Sequence, residues 1–424
     1  MSNEIGSYDP AFFKMKVDVD GDIDLNSMSP LGFSVFFHEY IHFIQDFTTA
    51  ACCRRIYVYG EYIRQCVSMI VNGSKQFLVP VDIHDNVNNV NPNIKVLSFV
   101  DGDLDSVQNV VIEQIDIVTN EIEDKDDRVF SLQTVVITTT DDNMMSFGTL
   151  AIKESMAYLI EQLCTTQHHS SPDFPYNIAR LISDYVLGNK TLQDMELLAL
   201  CDVSLMVSNP GLFFYKILNK IKNGDLKITK PEDIYDFYYG SNSISYATNT
   251  VIPTINDYLI NAFSALDAVR KYYALNKLQD LNQWLEKVFC LGVALRTQRR
   301  YFMLEMARGN KDKQNGVLQF FAKEIGSPLI ENKQGKIFKL NTKDGVAPTE
   351  YLYILEQIHD LFKQGKMACA MKNWCLQISG QPSAPADDRC DNAPWSRSTD
   401  ENLCPYALFW YHRKLSGFEP VVNL

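Results

Sequence analysis

Two histidines and a glutamate lie close together in the stretch FFHEYIHFIQDF, residues 36–47. His38 and His42 are four positions apart, so in a helix both rings project from one face and can bind the same metal ion. Glu39 follows the first histidine, where it can accept a proton from a metal-bound water without being a ligand. The rest of the stretch is mostly apolar, as in a buried helix. The pattern therefore predicts a zinc site inside the protein.

The residues before this stretch predict where its helix begins. Ser29 suits the N-cap and Pro30 the first helical position, so we expect a helix within residues 27–47. One side of this helix carries a polar stripe, which consists of Ser34, His38, His42, Gln45 and Asp46. Asp46 is expected either to hold the far nitrogen of a ligating histidine or to be solvated at the helix end. The alternative to a metal site is that the two histidines satisfy each other or nearby backbone groups.

The pentapeptide HEYIH matches H-E-x-x-H, the zincin signature. The segment after His42, FIQDF, lacks the glycine and histidine of the longer metzincin motif. The chain instead resembles the gluzincin metallopeptidases, in which a glutamate on a later helix completes a His2Glu site with an open fourth position. The resemblance implies that a third ligand lies downstream.

Glu154, in the stretch KESMAYLIEQL, is the glutamate that best fits this resemblance. It lies off the apolar stripe of its predicted helix and beside Ala151 and Ala157, small residues that let two helices approach closely. The E-x-x-A spacing is similar to that of gluzincin glutamate helices, although Tyr158 stands where some relatives carry a supporting aspartate. Glu61, on the helix after the motif, is the rival ligand.

The resemblance also implies the chemistry of the site. Zinc would lower the pKa of its water and polarise a carbonyl group, while Glu39 would take the proton and deliver it to the leaving amine. An oxyanion donor would assist, and we assign this role to Tyr158 and His168, with His169 and Tyr176 also near the predicted glutamate helix.

The composition restricts partners and location. A net charge of −13 argues against binding to nucleic acid or to anionic membranes, which needs a basic surface. The N-terminus lacks the features of a secretory signal, and no apolar run approaches the roughly 20 residues that span a bilayer. We therefore expect a cytoplasmic protein whose ten cysteines are reduced.

The pattern along the chain predicts an α+β, helix-dominated fold of zincin-like type. A second helix is expected at about 54–71, followed by a strand-rich segment with the runs FLVPVDI, IKVLSFV, VVIEQIDIV and VFSLQTVVITTT, and then by the helix TLAIKESMAYLIEQLC. Three regions follow from this pattern: a catalytic region at 1–170, a helical region at 171–325 and an irregular C-terminal subdomain at 326–424. The strand RVFSLQTVVITTT is either a peptide-binding sheet edge or a covered core strand.

Four cysteines are crowded into the C-terminal subdomain: Cys369, Cys375, Cys390 and Cys404. Four thiolates can hold a structural zinc ion or an iron–sulfur cluster. Their spacing matches no CxxC motif, so ordinary reduced cysteines are the alternative.

Together these features predict a zinc metallopeptidase that hydrolyses a protein or peptide substrate. Its large helical region and acidic surface are expected either to serve a regulatory protein partner or to keep the protease in check. Two alternatives remain open. The chain can be a zincin-fold binding or regulatory module with a structural zinc, or a zinc hydrolase acting on a non-peptide amide. Glu39 favours an enzyme, because a structural metal site needs no base beside it.

Overall fold

A computed structural model describes residues 6–9, 12–21, 23–25, 27–83, 90–244, 251–273, 279–346, 349–377 and 386–422 of the 424-residue chain. The fold is α+β and mostly helical, with several small sheets. This agrees with the class that the sequence predicts.

The helices follow one another along most of the described chain and are, in order, α1 (Pro30–Thr48), α2 (Ala50–Asn72), α3 (Val90–Asp101), α4 (Thr149–Cys164), α5 (Ile178–Leu187), α6 (Asp194–Leu205), α7 (Pro210–Asn223), α8 (Glu232–Tyr239), α9 (Thr254–Tyr273), α10 (Gln279–Gln298), α11 (Phe302–Ala307), α12 (Gly316–Ile325), α13 (Glu350–Gln364), α14 (Lys372–Gln377), α15 (Arg389–Asn392) and α16 (Pro405–His412). Within the described residues, none of these helices has the length and apolar character needed to cross a membrane.

The strands are short except for one long hairpin and are, in order, β1 (Gly6–Asp9), β2 (Lys14–Val17), β3 (Gln76–Val79), β4 (Ile112–Glu123), β5 (Val129–Thr139), β6 (Met144–Phe147), β7 (Asn242–Ile244), β8 (Val251–Pro253), β9 (Leu329–Asn332), β10 (Ile337–Phe338), β11 (Asn341–Thr342), β12 (Gly345–Val346) and β13 (Glu419–Val422).

Two of the sheets join distant parts of the chain. One sheet has the order β1-β2-β9-β10, in which β2 and β9 are parallel and the other neighbours are antiparallel. A second sheet pairs β3 with β13 in parallel. The predicted division into three regions stays a prediction, but strands of the first and last regions pair with each other and one core cluster includes residues from all three.

Helix α1 begins as the sequence predicts and is buried along nearly its whole length. The Ser29 side chain accepts a hydrogen bond from the backbone N–H of Gly32, and Pro30 is the first helical residue. Every residue from Gly32 to Thr48 is buried. Such a helix exposes no face to water, so its polar side chains must find partners on neighbouring elements.

The structure corrects one prediction about the strand-rich segment and, for another, favours the covered core strand over the peptide-binding edge. IKVLSFV lies in helix α3, because Val96, Leu97 and Val100 recur at helical spacing and are buried on one face. RVFSLQTVVITTT contains β5, the central strand of the sheet β4-β5-β6, whose residues 135–138 pair on both sides. That part of the strand therefore has no free edge for a peptide.

A buried arginine connects α1 to the helical region. Arg296 donates one hydrogen bond to the Thr48 carbonyl at 2.7 Å and two to the carboxylate of Asp202, each at 2.7 Å. The Tyr235 hydroxyl donates a further bond to Asp202 at 2.6 Å. Arg296 thereby satisfies a carbonyl in the last turn of α1, which has no partner within its own helix.

We expect Asp202→Ala to lower the free energy of unfolding by about 3–5 kcal/mol, because the substitution leaves the Arg296 charge buried without its partner. Glu286→Ala is the matched control, since it removes an exposed pair with Arg270 and should cost about 1 kcal/mol or less. Urea denaturation of both variants measures the difference. Equal losses would contradict the role of the buried pair.

Candidate metal centre

Three of the residues that the sequence singled out meet between α1 and α4. His38, His42 and Glu154 each offer a ligand atom, and these atoms all lie within 4.8 Å of one another. Both imidazoles come from α1 and the carboxylate comes from α4, two helices that are far apart in sequence but packed together. Ala151 and Ala157 are fully buried beside Glu154, which fits the predicted close approach of the helices.

The spacing of these ligand atoms fits a zinc ion. Oε2 of Glu154 lies 3.2 Å from Nε2 of His38 and 3.1 Å from Nε2 of His42. Zinc bonds of about 2.0 Å place tetrahedral ligand atoms about 3.3 Å apart. The two rings are nearly perpendicular, with centroids 4.9 Å apart, so their Nε2 atoms converge without stacking.

The other nitrogen of each ring is held by a hydrogen-bond acceptor. Nδ1 of His38 lies 3.0 Å from Glu161 Oε2, and Nδ1 of His42 lies 2.8 Å from Gln45 Oε1. When each Nδ1 carries the proton, Nε2 presents its lone pair to the space between the rings. Such outer partners fix ring orientation and raise the basicity of ligating histidines. The donor set therefore fits a divalent metal of the zinc type.

The electrostatics show how the three groups interact without a metal. Burial by itself would lower the pKa of His38, but hydrogen bonds to Glu154 and Glu161 outweigh it and hold that pKa well above its usual value. Burial lowers the pKa of His42 despite the opposing effect of Glu154. The two histidines hold the pKa of Glu154 below its usual value, although burial opposes this shift. The Glu154 carboxylate is thus ionised at neutral pH, as a metal ligand must be.

Glu39 is buried beside the triad, with 5% of its surface exposed. Strand β1 lies against it: a methyl group added at Gly6 would be 2.5 Å from Oε1 of Glu39 and 2.9 Å from Cγ1 of Val35. The Gly6 backbone therefore lies directly against the Glu39 carboxylate, and a side chain at this position would have to displace Glu39 and Val35.

The rival ligand lies elsewhere. Glu61, on α2, accepts hydrogen bonds from Arg64 one turn further along the same helix. It is not part of the group of possible ligands found among the described residues. The structure therefore brings Glu154, and not Glu61, to the two histidines.

Asp46 has neither of its two expected roles. It is completely buried, and it accepts hydrogen bonds from the Lys153 ammonium at 3.2 Å and from the Tyr8 hydroxyl at 2.9 Å. Gln45 and Glu161 take the role of holding the histidine rings. Glu161 was missed although a signal was present, since it follows Glu154 by seven residues and so lies on the same side of α4 two turns later.

The contacts of Tyr158 and His168, the two residues assigned as oxyanion donors, do not include the triad. The Tyr158 hydroxyl donates to the carbonyl of His169 at 3.5 Å, and His168 is exposed after the end of α4. Tyr176, which was named with them as a candidate, does contact the triad, since its ring centroid lies 5.8 Å from that of His38. Roles for Tyr158 and His168 stay predictions that these contacts do not support.

Tyr176 belongs to the turn Asp173–Asn177, which is attached to the ligand helix. The Ser155 hydroxyl, next to Glu154, donates to the Pro175 carbonyl at 2.8 Å and accepts from the backbone N–H of Ala179 at 3.3 Å. The predicted break at residues 170–177 is thus a segment that borders the metal centre.

Comparison with protein-family models, with curated protein sequences and with solved structures found no match to this chain. The assignment of the metal centre therefore depends on its residues and their geometry.

The four C-terminal cysteines come near one another without forming a comparable centre. The Cys369 N–H donates to the Cys390 carbonyl at 2.7 Å, and Cys404 caps α16 by accepting from the Ala407 N–H. Among the described residues, the histidine–glutamate triad is the only group of three or more such residues whose ligand atoms all lie within 4.8 Å of one another. Burial, reinforced by the neighbouring thiols, raises the pKa of Cys369 to about 12, which favours a protonated thiol. A second metal stays a prediction.

We expect Glu154→Ala to lose zinc affinity, because two histidines leave the ion one protein ligand short of the usual three. Glu61→Ala is the matched control, which removes a glutamate outside the centre and should retain zinc. Chelator competition and metal analysis of both purified variants measure the difference. Zinc binding that survives in Glu154→Ala and is lost in Glu61→Ala would refute the assignment.

The second-metal hypothesis is tested by the metal content of the purified protein. If the cysteines bind a metal, the wild type should contain more than one equivalent, and the double variant Cys390→Ser, Cys404→Ser should lose only the excess. An iron–sulfur cluster would add visible absorbance. One equivalent of zinc in both proteins would identify these residues as ordinary cysteines.

Proposed function

We propose that the chain is a zinc-dependent metallopeptidase with a zincin-like site, in which His38, His42 and Glu154 hold the metal and Glu39 is the general base. The observation that carries this proposal is the convergence of both Nε2 atoms and a carboxylate oxygen between two buried helices, with a further carboxylate next to the first histidine.

The proposal assigns each part of the centre a task. When bound, zinc supplies Lewis acidity that lowers the pKa of water and polarises a carbonyl group. Glu39 accepts a proton from the attacking water and passes it to the leaving amine. Glu161 and Gln45 keep the imidazole rings oriented.

Charge also supports a hydrolytic centre. One carboxylate and two neutral imidazoles leave a bound dication with a net charge of +1, which keeps a bound water acidic. Glu161 adds a second carboxylate that contacts His38 and not the other ligand atoms. Its Oε1 accepts a hydrogen bond from the Ser34 hydroxyl, so its charge is satisfied within the protein.

The sheet suggests where an extended substrate would lie. Strand β1 is the edge strand of the sheet β1-β2-β9-β10, and its Gly6 lies against Glu39. A peptide that adds to a sheet edge receives main-chain hydrogen bonds, which suit a polypeptide better than an isolated small amide. A protein or peptide is therefore the proposed substrate class, with β1 taking the place first assigned to RVFSLQTVVITTT.

The two alternatives differ from this proposal in measurable ways. A binding module with a structural zinc would retain its function without Glu39, and a non-peptide amidase would need Glu39 but leave proteins intact. The cytoplasmic location and the regulatory protein partner stay predictions from the sequence.

Replacing Glu39 by Gln should lower turnover by about 100-fold or more, because the centre loses its proton acceptor. Zinc content and fold should be preserved, since Glu39 is not a ligand. The measurement is a mass-spectrometric search for new peptide termini in cells that express the wild type or the variant.

Glu61→Gln is the matched control, because it makes the same chemical change outside the centre and should cleave like the wild type. New termini that are equally abundant with Glu39→Gln would refute the mechanism. If the zinc-loaded wild type yields none, the peptidase function itself is wrong.

A further inference from the structure

Two positions of strand β1, Gly6 and Tyr8, face helix α1. Gly6 and Tyr8 are two residues apart, so they share one face of the strand, while Ser7 points to the other. Gly6 lies on the Glu39 carboxylate, where a methyl group would clash with Oε1. The strand is thus in contact with the proposed general base.

Tyr8 makes the second contact with α1, at His42, which lies about one turn after Glu39. Its ring lies against His42, with centroids 6.0 Å apart and planes inclined by 31°. Its hydroxyl donates to Oδ2 of Asp46 at 2.9 Å. The hydrogen bond from the Tyr8 hydroxyl to Asp46 therefore holds the Tyr8 ring beside an imidazole that is proposed to bind the metal.

Asp46 also anchors the helix that carries the third ligand. Its Oδ1 accepts a hydrogen bond from the Lys153 ammonium at 3.2 Å, and Lys153 directly precedes Glu154. Both side chains of this ion pair are almost completely buried, with exposed fractions of 3% and 0%. The Lys153 ammonium lies 5.5 Å from the centre of the Tyr8 ring. At this one carboxylate, β1, α1 and α4 are joined.

We propose that Tyr8 is a positioning residue of the metal centre, which holds β1 in place through Asp46 so that the Tyr8 ring orients His42 and the Gly6 backbone confines Glu39. The part of this inference that concerns Glu39 rests on the proposed peptidase function. The part that concerns His42 rests only on metal binding. It makes the N-terminal strand a wall of the site, although the strand supplies no ligand.

The test compares Tyr8→Phe with Ser7→Ala, a neighbouring change on the opposite face of the strand. Tyr8→Phe keeps the ring and removes the bond to Asp46, so zinc affinity should fall about tenfold, the usual scale for a partner behind a metal ligand. Its kcat should fall while KM stays within about threefold, because the strand edge remains. Ser7→Ala should match the wild type in all three quantities.

Gly6→Ala provides a second, separable measurement. The atoms nearest to the added methyl group belong to Glu39 and Val35, and neither residue is a proposed ligand. We therefore expect kcat to fall about tenfold while zinc affinity is unchanged. Chelator competition gives the affinity, and thermal unfolding of the metal-free variants identifies any change that merely destabilises the protein. If metal-free Tyr8→Phe melts at the same temperature as the metal-free wild type but binds zinc more weakly, Tyr8 acts by positioning the metal centre.

The proposal would be overturned if the Tyr8→Phe protein had the same zinc affinity and the same kcat as the Ser7→Ala protein. If Tyr8→Phe fails to fold, an unchanged kcat in Gly6→Ala would overturn it instead. A wild type that binds zinc but cleaves no peptide would refute the proposed function alone, because the zinc affinities of Tyr8→Phe and Ser7→Ala still decide the role of Tyr8.

Discussion

The rest of the structure depends on the contact between α1 and α4, because α1 is buried and yet carries ionisable side chains. A buried polar group without a partner costs about 1–3 kcal/mol, and an unpaired charge costs more. Helix α4 supplies the partners with Glu154 at the two Nε2 atoms, Glu161 at Nδ1 of His38 and the Lys153 ammonium at Asp46. A rotation of α1 about its axis would leave these charges against its phenylalanine side chains. The polar contacts therefore determine how the two helices pack.

The same contacts arrange the three side chains in a way that could hold a metal ion. Hydrogen bonds at both Nδ1 atoms direct the Nε2 atoms toward the Glu154 carboxylate. Without a metal, the raised pKa of His38 keeps a proton between Glu154 and Glu161, which balances part of their charge. A divalent ion would take over that balancing role when the proton leaves. A cluster with two carboxylates that share a buried histidine is costly to bury unless a cation accompanies it.

Parts of the chain that supply no ligand still determine the geometry of the centre. Strand β1 reaches Glu39 because β2 holds it in a sheet whose other strands, β9 and β10, come from residues 329–338. Arg296 of α10 fastens the last turn of α1 to Asp202 of α6. The helical region and the C-terminal region thus support a site whose candidate ligands all lie within the first 154 residues.

The sequence by itself determined the start of α1, the shared face of His38 and His42, and the helical spacing that sets Glu154 apart from its apolar stripe, because these features depend on local periodicity and capping. It could not distinguish α3 from a strand, since IKVLSFV is rich in residues that favour both buried helices and strands. Only the tertiary structure decided that Glu154 and not Glu61 approaches the histidines, that Glu161 and Gln45 hold their rings, and that Asp46 pairs with Lys153 and Tyr8. Apart from the Gln45 contact, which lies within α1 three residues from His42, each of these choices depends on which elements pack against α1. Contacts between residues 38 or more positions apart leave no periodic signal in the chain.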